Sequence, residues 1–446
     1  MANEQSRIAH VLRRLRLARG WSWTEQARHL RRTARELGFA RIGAATTSSV
    51  QRTIARWESG RTVPSEQYQV LLAHLYGRTN RGEAALGPGS DFAELLAAFA
   101  GMGVDPERLE ELTADVAAHV TDRGSGPQMF LSDPLRARLA TALADPDTID
   151  VEVVADLGAA TDAVDRRIGT MPFARLYLAQ TAIVDACRRL LAGEQPPPVR
   201  DRLSQVAATA YALAARLAFE SHDDATAFAL YDEAVALAQG AVRARIRTGQ
   251  AMVTHYATGD VAKARRIADA AAQDVHRDGG PLLRARVHAI RAELAARAGH
   301  PRSAHVALHL AEHALDAATG DDPDPDVFSE ERLHGFHGVC GIFLGTAAAA
   351  EQHLARSAAR LTRPRDAVQR AIVLTDQAVA RLRTGDPGAP EAAAGLLHAC
   401  VDLVAATRGR VAALRIRRAR LELRPWYNER FVTDLDDHMH TALIGI

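Results

Sequence analysis

The stretch from Ser49 to Arg61, SVQRTIARWESGR, carries residue types that can read DNA. On a helical wheel Val50, Ile54 and Trp57 share one face at spacing i, i+4, i+7, which suits packing on neighbouring helices. The other side carries Gln51, Arg52, Thr53, Ala55 and Arg56. Arginine can address the two major-groove acceptors of guanine and glutamine can address adenine, while a small alanine lets the helix lie close. Ser48 and Ser49 fall at the expected helix N-terminus, where hydroxyls and free N–H groups suit phosphate oxygens. Arg61, just past Gly60, is placed to reach the DNA backbone.

Other residues of chemical interest read more plainly. His305, His309 and His313 share a helix face, but no cysteine or carboxylate cluster accompanies them, so solvated histidines are expected. His334, His337 and Cys340 would spread over a broad arc of a helix, a poor arrangement for a metal. No GxGxxG, P-loop, HExxH or GxSxG element is present. Neither catalysis nor a metal or organic cofactor is expected. The acidic run TGDDPDPDVFSEER, residues 319–332, reads as a solvated connection. Cys187, Cys340 and Cys400 lie far apart, which fits buried, reduced thiols in a cytoplasmic protein. The first residues lack the apolar core of a secretory leader, and no apolar run is long enough for a membrane span.

The elements that must position the DNA-reading residues are helices. RIAHVLRRLRLAR forms the first, ended by Gly20. Ser22 with Glu25 three residues on has capping-box spacing and opens a second helix through ARHLRRTARELG. Residues 38–47 read as a loop, Ser48 or Ser49 as the cap of the third helix, and Pro64-Ser65 as the start of a fourth that ends at Gly77. The charge follows the same division. Residues 1–82 hold 15 arginines, no lysine and five acids, a net +10, whereas the remainder is −9 and the whole chain +1. A basic head on an acidic body points to a polyanionic partner for the head.

The ARGWS turn, the TIxRWExGR sequence and the PSxxxxxLL helix together resemble the lambda-repressor/Cro-like (XRE-type) helix-turn-helix family over residues 7–77. The resemblance implies binding to double-stranded DNA, base contacts from Gln51, Arg52 and Arg56, and an internal salt bridge between Arg16 and Glu58. The chain departs from that family by an insertion around 31–47.

Residues 78–91, rich in small and turn-forming types, are expected to be a linker, and 92–170 connecting helices broken by the loop DRGSGPQM. From 171 to 446 the chain becomes a succession of helix pairs. Their turn residues, Asp223, Asp260, His300, Thr346 and Asp386, recur at steps of 37, 40, 46 and 40. In the first four an alanine follows four residues later, where close helix packing needs a small side chain. This is a solenoid period. The array resembles the tetratricopeptide repeat, and the whole chain is similar to bacterial regulators, common in actinobacteria, that join this head to such a body.

The expected fold is therefore all-α: a helix-turn-helix domain at 1–77 followed by an α-solenoid for sensing and dimerisation. Related Gram-positive regulators bind a short peptide in a groove rich in asparagine. These repeats contain no asparagine before Asn428, so arginine, glutamine and histidine would have to hold an effector. Candidates are Arg243, Arg247, Gln250 and His255, then Arg284, Arg286, His288 and Arg291. A peptide, a small molecule and a protein partner all remain open as effectors, as does no ligand at all, with the array serving only for dimerisation. A homodimer is expected, because one such head covers only one half-site. The competing reading is an interaction scaffold whose head no longer reads DNA.

Overall fold

Apolar residues spaced three and four apart favour helices, and the protein is all-helical. The computed structural model describes residues 2–79, 82–121 and 131–443. Among these it contains 22 α-helices and no strand. The chain divides into two compact units, one comprising Met1–Ala144 and Tyr177–Ala186, the other Asp145–Leu176 and Cys187–Leu443.

The first unit contains α1 (Ala2–Ala18), α2 (Trp23–Glu36), α3 (Ala40–Ala44), α4 (Thr47–Glu58), α5 (Glu66–Tyr76), α6 (Asp91–Ala100), α7 (Pro106–Thr121) and α8 (Asp133–Ala144). Helices α2, α4 and α5 pack around Leu30, Ile54, Trp57 and Leu71, all of them buried. The Ser22 capping box forms as its spacing predicts. The N–H of Glu25 donates to Ser22 Oγ at 3.2 Å, and the N–H of Ser22 donates to Glu25 Oε2 at 2.7 Å.

Three local expectations are corrected. Thr46, not Ser48 or Ser49, caps α4, its Oγ1 accepting from the N–H of Ser49 at 3.2 Å. The stretch 38–47 is not simply a loop, because Phe39 and Ile42 are buried and pin the short α3 between α2 and α4. Phe39 lies 5.9 Å from the Tyr177 ring, centroid to centroid. Finally, the described part of 78–91 belongs to the first unit rather than lying between units. The N–H of Thr79 donates to Glu83 O at 2.8 Å and that of Ala85 to Gly77 O at 2.9 Å, closing a local turn. The loop DRGSGPQM lies outside the described residues.

The second unit contains α9 (Val151–Arg166), the ends of α10 (Phe173–Leu191), and then a series of pairs. These are α11 (Pro197–Glu220) with α12 (Asp224–Leu237), α13 (Gly240–Thr258) with α14 (Val261–Asp278), and α15 (Pro281–Arg297) with α16 (Pro301–Asp316). They continue with α17 (Glu330–Leu344) and α18 (Ala347–Arg360), then α19 (Ala367–Thr384) and α20 (Ala389–Thr407). Two further helices follow, α21 (Arg410–Glu422) and α22 (Arg430–Ala442).

The recurring turns explain the pairing. Gly259 and Gly345 end α13 and α17 in the left-handed conformation, φ 72° and 80°, where a side chain would strain the backbone. Asp223 and Asp260 then cap α12 and α14 by accepting from Thr226 N at 3.1 Å and Lys263 N at 2.8 Å. Four residues on, Ala227, Ala264, Ala304 and Ala350 are all buried at 1% exposure or less. Packed there, Ala264→Leu should cost about 1–3 kcal/mol by overpacking the α13–α14 contact. Thermal unfolding reads this as a lowered midpoint, and an unchanged midpoint would show that the position tolerates bulk.

Among the described helices α20 alone has the length and apolarity to cross a membrane, with a mean hydropathy of 1.3. Here Leu397, Val401 and Val404 are buried, and the helix packs on α19 and α22. Cys187, Cys340 and Cys400 are free thiols buried in the core.

Candidate functional site

Two surfaces have the chemistry for recognition, one in each unit. In the first unit α4 is anchored by Val50, Ile54 and Trp57, which are 1%, 1% and 3% exposed. The Trp57 ring meets Tyr68 edge-on at 4.8 Å. Arg31 Nη1 donates to Thr47 Oγ1 at 2.9 Å, tying α2 to the start of α4. Arg16 and Glu58 lock α1 to the end of α4. Arg16 Nε donates to Glu58 Oε1 at 2.6 Å and Nη2 to Oε2 at 2.8 Å, with the side chains only 9% and 3% exposed. Arg16 Nη1 also donates to Trp21 O at 2.7 Å, and Trp23 Nε1 to Glu58 Oε2 at 2.8 Å. These bonds to Glu58 hold the Arg16 guanidinium above its ordinary pKa.

The anchored helix turns the expected DNA-reading residues outward. Ser48, Ser49, Arg52, Arg56 and Arg61 are exposed, and Gln51, Thr53 and Ala55 are half-buried. Arg52 has no hydrogen-bond or ion-pair partner among the described residues, and Arg56 Nη2 donates only to Thr53 Oγ1, at 3.3 Å. Gln51 Oε1 accepts a long contact from Thr24 Oγ1, 3.4 Å, which leaves its amide N–H groups outward. The Ser49 N–H is committed to its cap. At this end of α4 the Ser48 and Ser49 side chains are exposed, with Ser48 Oγ 3.2 Å from Thr46 Oγ1.

The second site is a cavity of about 420 Å³ inside the second unit. It is lined mainly by the first helix of each pair, α11, α13, α15, α17 and α19, and closed by α9 and α21. Its walls are apolar, with Phe219, Met252, Ile290, Phe336 and Val373 among them. Seven arginines line it: Arg166, Arg216, Arg245, Arg286, Arg332, Arg365 and Arg415.

Three of these seven are bonded to carboxylates. Arg245 Nη1 donates to Asp324 Oδ2 at 2.8 Å, Arg365 Nη1 to Asp326 Oδ2 at 3.1 Å, and Arg415 pairs with Asp376 and the Tyr256 hydroxyl. The cavity's other acids are Asp162 and Asp165 on α9, with Glu220 and Glu293. Glu220 accepts from the N–H of Val411 at 3.1 Å, and Glu293 from Arg297 Nη2 at 2.7 Å.

Arg216, Arg286 and Arg332 form no hydrogen bond to a carboxylate. Arg216 has no hydrogen-bond or ion-pair partner among the described residues. Arg286 meets only neutral acceptors, Thr248 Oγ1 at 3.2 Å and Val327 O at 3.3 Å. Arg332 approaches Asp366 no closer than 3.8 Å, and Asp366 is already bonded to Arg363 Nε at 2.8 Å. Burial, then the neighbouring Arg332, Arg245 and Arg216, push the Arg286 guanidinium down to about 9. Burial also lowers Arg332, against the pull of Asp366.

No protein-family model matches the chain, and no curated protein is significantly similar to it.

The residues expected to hold an effector lie on α13 and α15, two of the helices that line the cavity, but on other faces. Arg243 and Arg247 both turn to Asp274 on α14, at 3.0 and 2.5 Å. Gln250 Nε2 donates to Asp232 on α12 at 3.0 Å. Arg284 is exposed, and His288 Nδ1 lies 3.3 Å from Arg291 Nη1. Arg243, Arg247, Gln250, Arg284 and His288 therefore do not line the cavity, and neither do His255 and Arg291; of the wider set only Arg286 does. On α13 the cavity face is instead Val242, Arg245, Ile246, Gly249 and Tyr256, offset by one or two residues from the expected series.

The acidic run at 319–332 is a cavity wall and not a freely solvated connection. Val327 and Phe328 are buried, and Asp322 Oδ2 accepts from the N–H of Leu282 at 3.1 Å. Arg216, Arg332 and Tyr231 escaped the sequence reading. The one available signal was register, since Arg286 and Arg332 both lie fourteen positions before their turn residues, His300 and Thr346.

His305, His309 and His313 are exposed. His334 Nδ1 lies 3.0 Å from His353 Nδ1, and Cys340 is buried. Among the described residues no group of three or more His, Cys, Asp or Glu side chains is arranged to hold a metal.

Proposed function

We propose that the protein is a sequence-specific DNA-binding regulator: its first unit is a helix-turn-helix head and its second a tetratricopeptide-like array that senses an effector. The observation that carries this reading is α4. Its apolar face is locked to the core by Trp57 and by the Arg16–Glu58 pair, while Arg52, Arg56 and Arg61 project from the opposite side. An interaction scaffold would have no need to keep unpaired arginines on a helix fixed in this way. The net +10 of residues 1–82 supports a polyanionic partner. The paired helices with buried alanines, and the cavity on their inner side, support the array reading. The regulator acts as a homodimer, which places two heads on half-sites about 34 Å apart.

The test is fluorescence anisotropy of the full chain with double-stranded DNA from beside its own gene, across a salt series, with the mass of the complex taken by light scattering. Saturable binding by two chains per site, steeper than binding to unrelated DNA, is expected. Arg61→Ala should weaken binding to all sequences and reduce the salt slope by about 0.9, the value for one lost phosphate contact. Equal affinity for any DNA, or none, would overturn the proposal.

A further inference from the structure

Positive charge gathers around Arg286, although the cavity as a whole is lined by seven arginines and seven acids. Three guanidiniums, Arg216 on α11, Arg286 on α15 and Arg332 on α17, face one enclosed space with no carboxylate bonded to Arg216 or Arg286. Arginines gathered in this way repel one another, and each has lost water, so the arrangement is costly when empty. A protein core needs no such cluster for packing, and an apolar side chain would fill the space at less cost. The guanidinium fork suits bidentate oxyanion recognition.

A second, independent observation lies beside the cluster. Tyr231 on α12 is 2% exposed, yet its hydroxyl reaches the cavity and makes no hydrogen bond among the described residues. The approach is possible because residue 249 is glycine: a Cβ there would lie 2.8 Å from Tyr231 Oη. A buried phenol without a partner forfeits hydrogen bonding that a ligand oxygen would restore. Around these polar groups the walls are Phe219, Met252, Ile290, Phe336 and Val373. The volume lies in the range of small-molecule sites, which excludes a folded partner as occupant.

We infer that this cavity binds a small organic oxyanion, with its phosphate or carboxylate held by Arg216, Arg286, Arg332 and the Tyr231 hydroxyl, and its apolar body against the aromatic and aliphatic walls. This names the effector class and rests on the second unit being the sensing half of the regulator. The acidic wall contributes directly. Asp324 and Asp326 engage Arg245 and Arg365, while Val327 O receives Arg286. The segment thereby holds neighbouring arginines in place while leaving Arg216, Arg286 and Arg332 to the ligand.

The experiment is isothermal titration of the full chain with phenyl phosphate, phenylacetate and inorganic phosphate, with benzyl alcohol as the uncharged counterpart. Saturable binding of phenyl phosphate or phenylacetate at one per chain is expected, tighter than inorganic phosphate, and the tighter of the two identifies the head group. Benzyl alcohol should bind at least about tenfold more weakly. Arg216→Gln and Arg286→Gln should each lower the affinity about tenfold or more, and the off-cavity Arg284→Gln should not. Should Arg286→Gln fail to fold, Arg216→Gln decides, since that side chain has no internal bond to lose. No saturable binding of either aromatic anion, equal binding of benzyl alcohol, or wild-type affinity in Arg216→Gln would overturn the site. Anion binding that leaves DNA affinity unchanged would uphold the site and remove its regulatory role.

Discussion

Replacing Arg52 or Arg56 by alanine should lower affinity for the specific site by about 1–3 kcal/mol each, roughly 5- to 150-fold, without touching the fold. Both side chains are exposed and lie away from the face that buries Val50, Ile54 and Trp57. Neither holds a carboxylate, so truncation removes no internal ion pair. Affinity for unrelated DNA should fall less, because a base contact is lost together with only one positive charge. Electrophoretic shifts on specific and scrambled duplexes measure both quantities, with circular dichroism as the check on folding. Wild-type affinity in both variants would remove α4 as the reading helix. An equal loss on both duplexes would assign these arginines to phosphate.

Glu58→Ala should produce the largest loss of stability in the first unit. The substitution strips Arg16 of both its bidentate bonds and Trp23 Nε1 of its acceptor, while Arg16 stays 7% exposed. A guanidinium deprived of its counter-ion there keeps its desolvation penalty and loses its compensation. Breaking a buried pair costs about 3–5 kcal/mol. Because the pair lies near the surface, the lower end, about 3 kcal/mol, is expected. Amide hydrogen exchange on the full chain should then show α1 and α4 opening roughly a hundredfold more often, with the pairs α13 to α16 unaffected. Glu58→Gln keeps an acceptor for Trp23 and one for Arg16 and should cost less. If protection in α4 is unchanged in Glu58→Ala, the pair is ornamental and another contact orients the helix. DNA affinity should fall alongside stability, since α4 is held to α1 through this bridge.

Much of the fold was legible in the chain itself. Helix termini are written locally. Ser22 with Glu25, the glycines at 20, 60, 259 and 345, and the caps Asp223 and Asp260 each act through neighbours within a few residues. The pairing of helices was legible as well, because the small residue that permits close approach, Ala227, Ala264, Ala304 or Ala350, lies at a constant offset from each turn. The outward face of α4 followed from the three apolar residues that occupy the inward one. What escaped was non-local. The short α3 is held by Phe39, whose contact with Tyr177 far along the chain no window of sequence contains.

The cavity marks the boundary between what the sequence determined and what tertiary structure decided. Successive side chains on a helix are about 100° apart, so a one- or two-residue error exchanges a face toward the sibling helix for a face toward the cavity. Arginines occur on both faces of α13: Arg243 and Arg247 bind Asp274 on the sibling helix, while Arg245 faces the cavity. Composition alone does not separate them. The sequence determined that the chain would be helical, where its pairs would turn, and which helices would carry charge. Stacking of the pairs decided which arginines would meet. Arg216, Arg286 and Arg332 come from three different pairs, and only the angle at which each first helix lies against the next brings their guanidiniums to one place.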